Sequence, residues 1–306
     1  MKPTLLVLAA GMGSRYGGLK QIDGFGQNNE AILEYSIYDA IRAGFGKVVF
    51  VIREEFNEAF KKKFANTFQD KIQVEYVYQN KEITIDGKTY GQDREKPRGT
   101  GHAVLVAKDV IHEPFAVINA DDYYGVSAYQ QIADYFEKTY PDASADATAT
   151  NNCCIIGYIL ENTLSESGTV NRGICKVSEN NQLVDVKETL KISRKADGKV
   201  TDQDGQKIDP KAVASMNFWG FHQSVFQELE QHFHTFVLET AKEGIATKEF
   251  YIPYFVDLLI KDRGMTCDVL ASQDARCGVT YPEDKPEVTK TLNSLIEKGI
   301  YPPKLW

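Results

Sequence analysis

The sequence predicts an α/β fold: a doubly wound, mixed but mainly parallel sheet that carries helices on both faces. Its first apolar segment, Leu5 to Leu8, is a continuous run typical of a strand buried on both faces of a parallel sheet. Buried strands and amphipathic helices then alternate through the first half of the chain, as they do when helices connect parallel strands. The 306 residues are 42% hydrophobic, which is enough for the core of one large domain.

The elements of the first half follow from periodicity and from the residues that end helices or turn the chain. Helices are predicted where apolar residues recur at helical spacing, and Gly44 ends the first of them. Asp86-Gly87 predicts a hairpin turn inside a polar segment. The predicted elements are helices over 31–43, 57–67, 103–108 and 128–140, and strands over 48–52, 74–78 and 115–119.

The second half contains more strands and fewer helices. Asp197-Gly198 and Asp204-Gly205 predict an exposed hairpin. Strands are predicted over 145–160, 173–177, 183–186 and 215–221, and helices over 224–233, 254–263 and 284–299. Because no internal repeat or low-complexity linker separates the halves, we expect a single domain over residues 1–306, divided into halves at 1–140 and 141–306.

Composition limits the classes of partner. The net charge is −8 and the longest basic block is Lys61 to Lys63, which argues against nucleic acid or an acidic membrane surface as a partner. No apolar stretch is long enough to span a bilayer, and no signal peptide is recognisable. The five cysteines are odd in number and lack metal-binding spacing, so we expect buried thiols in a cytoplasmic protein. The oligomeric state is left open, a homo-oligomer included.

A glycine-rich loop follows the first strand and carries two cations. Gly11 and Gly13 allow a tight turn with free amides, and Arg15 and Lys20 add positive charge. Free amides with an Arg and a Lys are suited to phosphates, so we expect this loop to hold a nucleoside triphosphate. The glycine spacing differs from the dinucleotide fingerprint, and the next strand is followed by Arg53 where a dinucleotide fold needs an acid for the ribose.

The stretch from Leu8 to Arg15, together with Lys20, resembles the signature of the sugar-phosphate nucleotidyltransferases, the nucleotide-sugar pyrophosphorylases. It also resembles their relatives that activate choline phosphate or methylerythritol phosphate with CTP. The resemblance implies a Rossmann-like fold of the nucleotide-diphospho-sugar transferase type, with residues 1–140 binding nucleotide and 141–306 binding the acceptor. It implies transfer of a nucleoside monophosphate from UTP, dTTP or CTP to a sugar 1-phosphate, with release of pyrophosphate. Arg15 and Lys20 would be the catalytic cations, and Ala10, Gly11 and Gly13 would wrap the nucleotide.

Asp121 follows the predicted strand 115–119, where open α/β sheets place their ligand-binding residues. Nucleotidyl transfer joins two anions, so hard oxygen ligands for Mg²⁺ are expected at this edge. In the family this position resembles the element that holds magnesium. The resemblance also implies a second metal-binding carboxylate late in the chain, which points to Asp274, with Asp268 as a competitor.

Base recognition is expected after the third strand. Gln79 offers an amide that can both donate to and accept from the edge of a pyrimidine. The segment from Pro97 to Ala103 resembles the family loop that approaches the base and ribose, which implies roles for Gly99 and Thr100.

The resemblance implies that Gly173, Glu188 and Asn217 contact the acceptor. The family lysine of the element around Glu188 falls on Thr189, which weakens the case for a common hexose 1-phosphate. One alternative is a cytidylyltransferase acting on phosphocholine or another small alcohol phosphate. Aromatic residues such as Trp219, Tyr158 and Phe218 could then form a cage around a quaternary ammonium group. Another alternative is a non-catalytic nucleotide-sugar sensor.

Overall fold

A computed structural model describes residues 2–11, 20–64, 66–68, 70–141, 151–165, 167–272, 274, 277–279 and 281–306, with only the main chain of Lys20 and Cys277. The helices are α1 (Ile32–Arg42), α2 (Asn57–Phe64), α3 (Thr100–Leu105), α4 (Val126–Thr139), α5 (Val225–Glu243), α6 (Ile252–Arg263) and α7 (Lys285–Glu297). The strands are β1 (Thr4–Leu8), β2 (Lys47–Ile52), β3 (Gln73–Tyr78), β4 (Ile83–Ile85), β5 (Lys88–Tyr90), β6 (Phe115–Asn119), β7 (Asp122–Tyr123), β8 (Asn152–Ile159), β9 (Val170–Val177), β10 (Leu183–Arg194), β11 (Val200–Thr201), β12 (Val213–Phe221), β13 (Thr266–Ser272) and β14 (Cys277–Gly278).

Ten strands of the described chain form one mixed sheet. Its parallel part has the order β6-β1-β2-β3, and the registers pair Leu8 with both Asn119 and Val51. The carboxyl ends of these four strands therefore lie at one edge of the sheet. β12 runs antiparallel to β6 and connects this parallel part to β8 and β9, and β13 is parallel to β8.

Helices cover both faces of the sheet, which confirms the predicted fold class. One core cluster joins the sheet to α3, α5 and α6 through residues such as Ala103, Phe233 and Phe255. The cluster on the other face joins it to α1, α2 and α4. The strand residues Leu5, Leu6 and Val7 are fully buried, as expected for a strand covered on both sides.

Several boundaries differ from prediction because tertiary contacts extend or shift the elements. Helix α3 begins at Thr100 rather than near residue 103, and α5 continues well past residue 233 to Glu243. β10 is much longer than predicted, because most of its later residues are polar and exposed, so that only its pairing with β9 marks them as a strand. β13 was not predicted, since Asp268 interrupts its apolar run; the strand pairs with β8 on one side, and on the other side Asp268 forms a single bridge with Gln182.

The described cysteines agree with the expectation of buried thiols. The side chains of Cys153, Cys154, Cys175 and Cys267 are buried and form no disulfide with one another. No helix in the described part of the chain combines the length and apolar composition that crossing a bilayer requires.

Candidate active site

A cleft of about 300 Å³ opens at the carboxyl ends of the parallel strands. It brings together six of the residues predicted from sequence, which are Ala10, Gly11, Gln79, Gly99, Thr100 and Asp121. They come from segments that follow β1, β3 and β6 and from the start of α3. Their convergence follows from the strand order, because parallel neighbours end at the same edge.

Gly11, at the start of the glycine-rich segment, lines this cleft directly after β1. The side-chain amide of Gln21 donates a hydrogen bond to the carbonyl oxygen of Gly11 at 2.6 Å, which ties the end of the loop to its beginning. The main chain of Lys20 begins a short 3-10 turn, Lys20–Ile22. Gly13 and Arg15 lie outside the described residues, so their predicted roles stay predictions.

The other end of the cleft is built around Gln79 and Gly99. Nε2 of Gln79 donates to the carbonyl oxygen of Gly99 at 2.8 Å, which leaves Oε1 as the atom that can accept from a base. Gly99 has a φ of +89°, and a Cβ there would lie 2.9 Å from the carbonyl oxygen of Phe250. Only glycine meets both conditions without strain. Oγ1 of Thr100 accepts a hydrogen bond from the amide of Ile252 at 3.1 Å, which fixes the start of α3.

Asn217 lies beside the cleft but its side chain is engaged within the protein. It occupies an irregularity of β12 and has a φ of +64°. Its Nδ2 donates to Oδ1 of Asn119 at 2.9 Å, and its Oδ1 accepts from Nε1 of Trp219 at 3.0 Å. Asn119 in turn donates to Asp122 at 3.1 Å. Asn217 therefore supports the end of β6 that carries Asp121.

Asp274 lies at the amino end of α4 and is not among the residues that line the cleft. Its Oδ2 accepts from the amide of Ser127 at 3.0 Å and from the hydroxyl of Ser127 at 2.7 Å. The antiparallel pairing of β14 with β7 explains this position: Gly278 pairs with Asp122, so residues earlier in the chain are carried toward the amino end of α4. A carboxylate at a helix amino end is stabilising, since it satisfies a main-chain donor.

Asp268 is less well placed than Asp274 for a role at this edge. It pairs with Cys154, in the part of β13 that precedes the carboxyl end. Asp274 follows the end of the same strand, which runs in the direction of β6. Topology therefore favours Asp274 between the two candidates.

Gly173 and Glu188 face each other across β9 and β10, and neither lines the cleft. A Cβ on Gly173 would lie 2.9 Å from Cγ2 of Val186, so its small size permits the close approach of the two strands. Desolvation raises the pKa of the Glu188 carboxyl above its ordinary value, and nearby Arg172 opposes that rise. Both residues lie outside the cleft lining, and their contact with the acceptor stays a prediction.

The carboxylate oxygens of Asp121 are ligands of the chemical type that binds Mg²⁺. Mg²⁺ is commonly held by one or two carboxylates together with substrate phosphates and water, rather than by a full protein cage. Among the described residues, no group of three or more His, Cys, Asp or Glu side chains is arranged to hold a metal ion. The arrangement is therefore compatible with an ion that arrives with a triphosphate.

Several residues that line the cleft were not predicted as site residues. They are Gln21, Arg53, Lys96, Pro97, Asn119 and Glu249. Arg53 and Asn119 lie at the carboxyl ends of β2 and β6, so the strand-end rule that selected Asp121 could have found them. Glu249 comes from the segment between α5 and α6, and no local pattern indicates its position.

The aromatic cage suggested for a choline-type acceptor does not form. Trp219 is fully buried in the core cluster on one face of the sheet. Tyr158 and Phe218 are buried in the cluster on the opposite face. Successive side chains of a strand point to opposite faces, which separates Phe218 from Trp219.

Comparisons with known proteins agree with this fold. A family model described as nucleotidyl transferase matches residues 5–182. The bifunctional protein GlmU of Methanococcus maripaludis strain C5 is 28% identical over 180 residues, which are 56% of this chain and 38% of that protein. The chain thus spans well under half of that curated relative.

Two solved structures share the fold at low identity. The inositol-1-phosphate CTP transferase from T. maritima has a TM-score of 0.60 and 13% identity, with 97% of each chain covered. A UDP-glucose pyrophosphorylase complexed with UDP-glucose has a TM-score of 0.60 and 17% identity, covering 96% of this chain and 99% of that one. Because the family model spans more than half of the sequence, this protein belongs to the nucleotidyl transferase family.

Proposed function

We propose that this protein transfers a nucleoside monophosphate from UTP, dTTP or CTP to a sugar 1-phosphate, releasing pyrophosphate and forming a nucleotide sugar. The observation that carries the proposal is the cleft that joins Gly11, Gln79, Gly99 and Asp121 at one edge of the sheet. Membership of the nucleotidyl transferase family supports the reaction class. The names of the structural neighbours include both a CTP and a UDP-glucose enzyme, so the base and acceptor must be tested.

We use the strand order to propose how the nucleotide is oriented in the cleft. Asp121 follows β6 and Gln79 follows β3, and β1 and β2 lie between them. Neighbouring strands are about 4.8 Å apart, so the two ends of the cleft are separated by roughly 14 Å. In this orientation Oε1 of Gln79 accepts from the base, and the α-phosphate lies near Asp121.

The reaction requires neutralisation of charge more than acid–base groups. A phosphate oxygen of the acceptor forms a bond to the α-phosphorus, the bond to the bridging oxygen breaks, and that oxygen leaves on pyrophosphate. Lys20 and Arg15 would orient the triphosphate and offset the negative charge that develops on the leaving group. Asp121, with Asp274 as the proposed second carboxylate, would hold Mg²⁺, which when bound shields the charge of the phosphates.

The acceptor is proposed to lie on the side of the cleft formed by the second half of the chain. Asn217 is next to Asn119 at the cleft, and Glu188 and Gly173 lie further along the sheet. A phosphocholine acceptor is not favoured, because the three aromatic residues that would bind its ammonium group are buried on opposite faces.

The test is pyrophosphate release by the purified protein with a panel of triphosphates and phosphorylated acceptors. We expect turnover with a pyrimidine triphosphate and a sugar 1-phosphate, and its loss when EDTA removes divalent metal. The panel includes inositol 1-phosphate and phosphocholine as alcohol phosphates. Saturable binding of a nucleotide sugar with no turnover for any pair would replace the proposal with a sensor function.

A further inference from the structure

A second cavity, separate from the nucleotide cleft, contains two buried arginines. It has a volume of about 290 Å³ and lies between the segment that follows the β4–β5 hairpin and the carboxyl end of α5. Arg94 and Arg98 both line it, and each side chain is only 5% exposed. Two guanidinium groups this deeply buried are unusual, because an unpaired charge is costly to remove from water.

No described acidic side chain forms an ion pair with either arginine, although Glu249 and Asp93 attract Arg94 and Asp93 attracts Arg98. Arg94 donates to the main-chain carbonyl oxygens of Lys96, Ala246 and Pro97. Arg98 donates to the carbonyl oxygen of Lys81 at 3.1 Å, and its buried Nε has no hydrogen-bond partner. The arginine ion pairs found among the described residues involve a different set: Arg42, Arg53, Arg194 and Arg263.

The two guanidinium groups are close enough to repel each other. Burial lowers the pKa of Arg98 to about 10, and the neighbouring charge of Arg94 adds to that decrease. Asp93 lies at the rim of the cavity and attracts both arginines, but it forms no ion pair with either one in the described part of the chain. The cavity therefore holds two guanidinium groups that repel each other, and the Nε donor of Arg98 has no acceptor among the described residues.

We propose that this cavity binds a phosphate-type oxyanion through Arg98 and Arg94. A doubly charged tetrahedral anion accepts several hydrogen bonds at once, and the planar fork of an arginine is suited to such a group. The anion would supply the partner that Nε and the second terminal nitrogen of Arg98 lack, and it would reduce the repulsion between the two guanidinium groups.

Chain connectivity links this cavity to the nucleotide cleft. Arg98 directly precedes Gly99 and Thr100, and Lys96 and Pro97 also line the cleft. The carbonyl oxygen of Arg98 accepts from the amide of Phe250 at 2.7 Å, which joins this wall to the segment that carries Glu249. A bound anion would hold the wall in place, so phosphate and nucleotide should increase each other's affinity. This consequence, unlike the site itself, rests on the proposed function.

The direct test is calorimetric titration with inorganic phosphate at constant ionic strength, with chloride as the reference salt. We expect saturable binding to the wild-type protein and at least about a tenfold weaker affinity in Arg98→Gln. Lys62→Gln removes a positive charge from an exposed position on α2, outside the cavity lining, and should bind phosphate as the wild type does. Equal affinities of Arg98→Gln and the wild type, or no saturable binding to the wild type, would overturn the site.

A second measurement needs no variant and separates this cavity from the phosphate-binding loop. Crystals soaked in tungstate, a tetrahedral oxyanion, should show an anomalous peak between Arg94 and Arg98. Peaks elsewhere with none in this cavity would also overturn the proposal. If phosphate binds at the arginines but no nucleotide does, the site stands and the proposed function fails.

Discussion

The two halves of the sheet differ in how they assemble candidate site residues. In the first half, residues that follow β1, β3 and β6 meet in one cleft, although they are far apart in sequence. In the second half, Gly173 and Glu188 lie on an antiparallel pair away from the cleft, and Asp274 binds the amino end of α4. Parallel strands all end at one edge, whereas in antiparallel strands the position of a residue depends on register and bulges.

The largest effect is expected at Lys20, the proposed phosphate-binding lysine of the first half. Lys20→Ala should lower turnover by about 10²–10³-fold, because a charge that stabilises the transition state is removed. Pyrophosphate release measures turnover, and circular dichroism checks that the fold is retained. Lys61→Ala, an exposed lysine on α2, is the matched control and should behave as wild type. Normal turnover in Lys20→Ala would remove this residue from the mechanism.

The second-largest effect is expected at the proposed metal-binding carboxylates, Asp121 in the first half and Asp274 in the second. Asp121→Asn should lower turnover about 100-fold and increase the Mg²⁺ concentration required, because the proposed ligand of the metal loses its charge. Asp274→Asn should lower turnover by less than about tenfold and reduce the free energy of unfolding by about 1 kcal/mol, because its carboxylate also caps α4.

Turnover as a function of Mg²⁺ and chemical denaturation of both variants measure these effects. Equal losses of turnover in Asp121→Asn and Asp274→Asn would show that both carboxylates contribute equally to catalysis. The two halves would then not differ in their contribution to the proposed metal site.

A smaller effect is expected at the connection between the halves. Asn217→Ala should reduce the free energy of unfolding by about 2 kcal/mol, because Asn119 and Trp219 each lose a hydrogen-bond partner. Denaturation by urea measures this loss. Asn217→Asp keeps an acceptor for Trp219 and should lose less stability. A fully stable Asn217→Ala variant whose KM for the acceptor has risen would instead identify Asn217 chiefly as a substrate contact.

The smallest effect is expected at Glu188. Glu188→Gln should raise the KM for the sugar phosphate by about threefold, as expected for a single hydrogen bond, and leave stability unchanged. Because desolvation raises the pKa of Glu188, the wild type should lose this carboxylate's charge as the pH falls toward that pKa. The KM of the wild type should then approach that of the variant.

Steady-state kinetics across mildly acidic pH measure this convergence, with exposed Glu179→Gln as the control. A KM for the sugar phosphate that is the same in Glu188→Gln and the wild type at every pH would exclude Glu188 from the acceptor site.

The sequence by itself determined the features that depend on neighbouring residues. The apolar run of β1 and the helix periodicities predicted the α/β fold, and Asp86-Gly87 predicted a hairpin turn, because burial and turn geometry act over a few residues. The same reasoning placed Gln79 and Asp121 at strand ends, and the structure brings both to one cleft. The positions of Arg53 and Asn119 could have been found by the same rule.

Only the tertiary structure decided what depends on residues far apart in the chain. The pairing of β14 with β7 directs Asp274 to Ser127, the irregularity in β12 turns Asn217 toward Asn119, and packing on opposite faces separates Trp219 from Phe218. Glu249 reaches the cleft, and Arg94 and Arg98 share a cavity, because the segment after α5 packs against the residues that precede α3. Such contacts depend on strand register and long-range packing, which no local pattern of residues specifies.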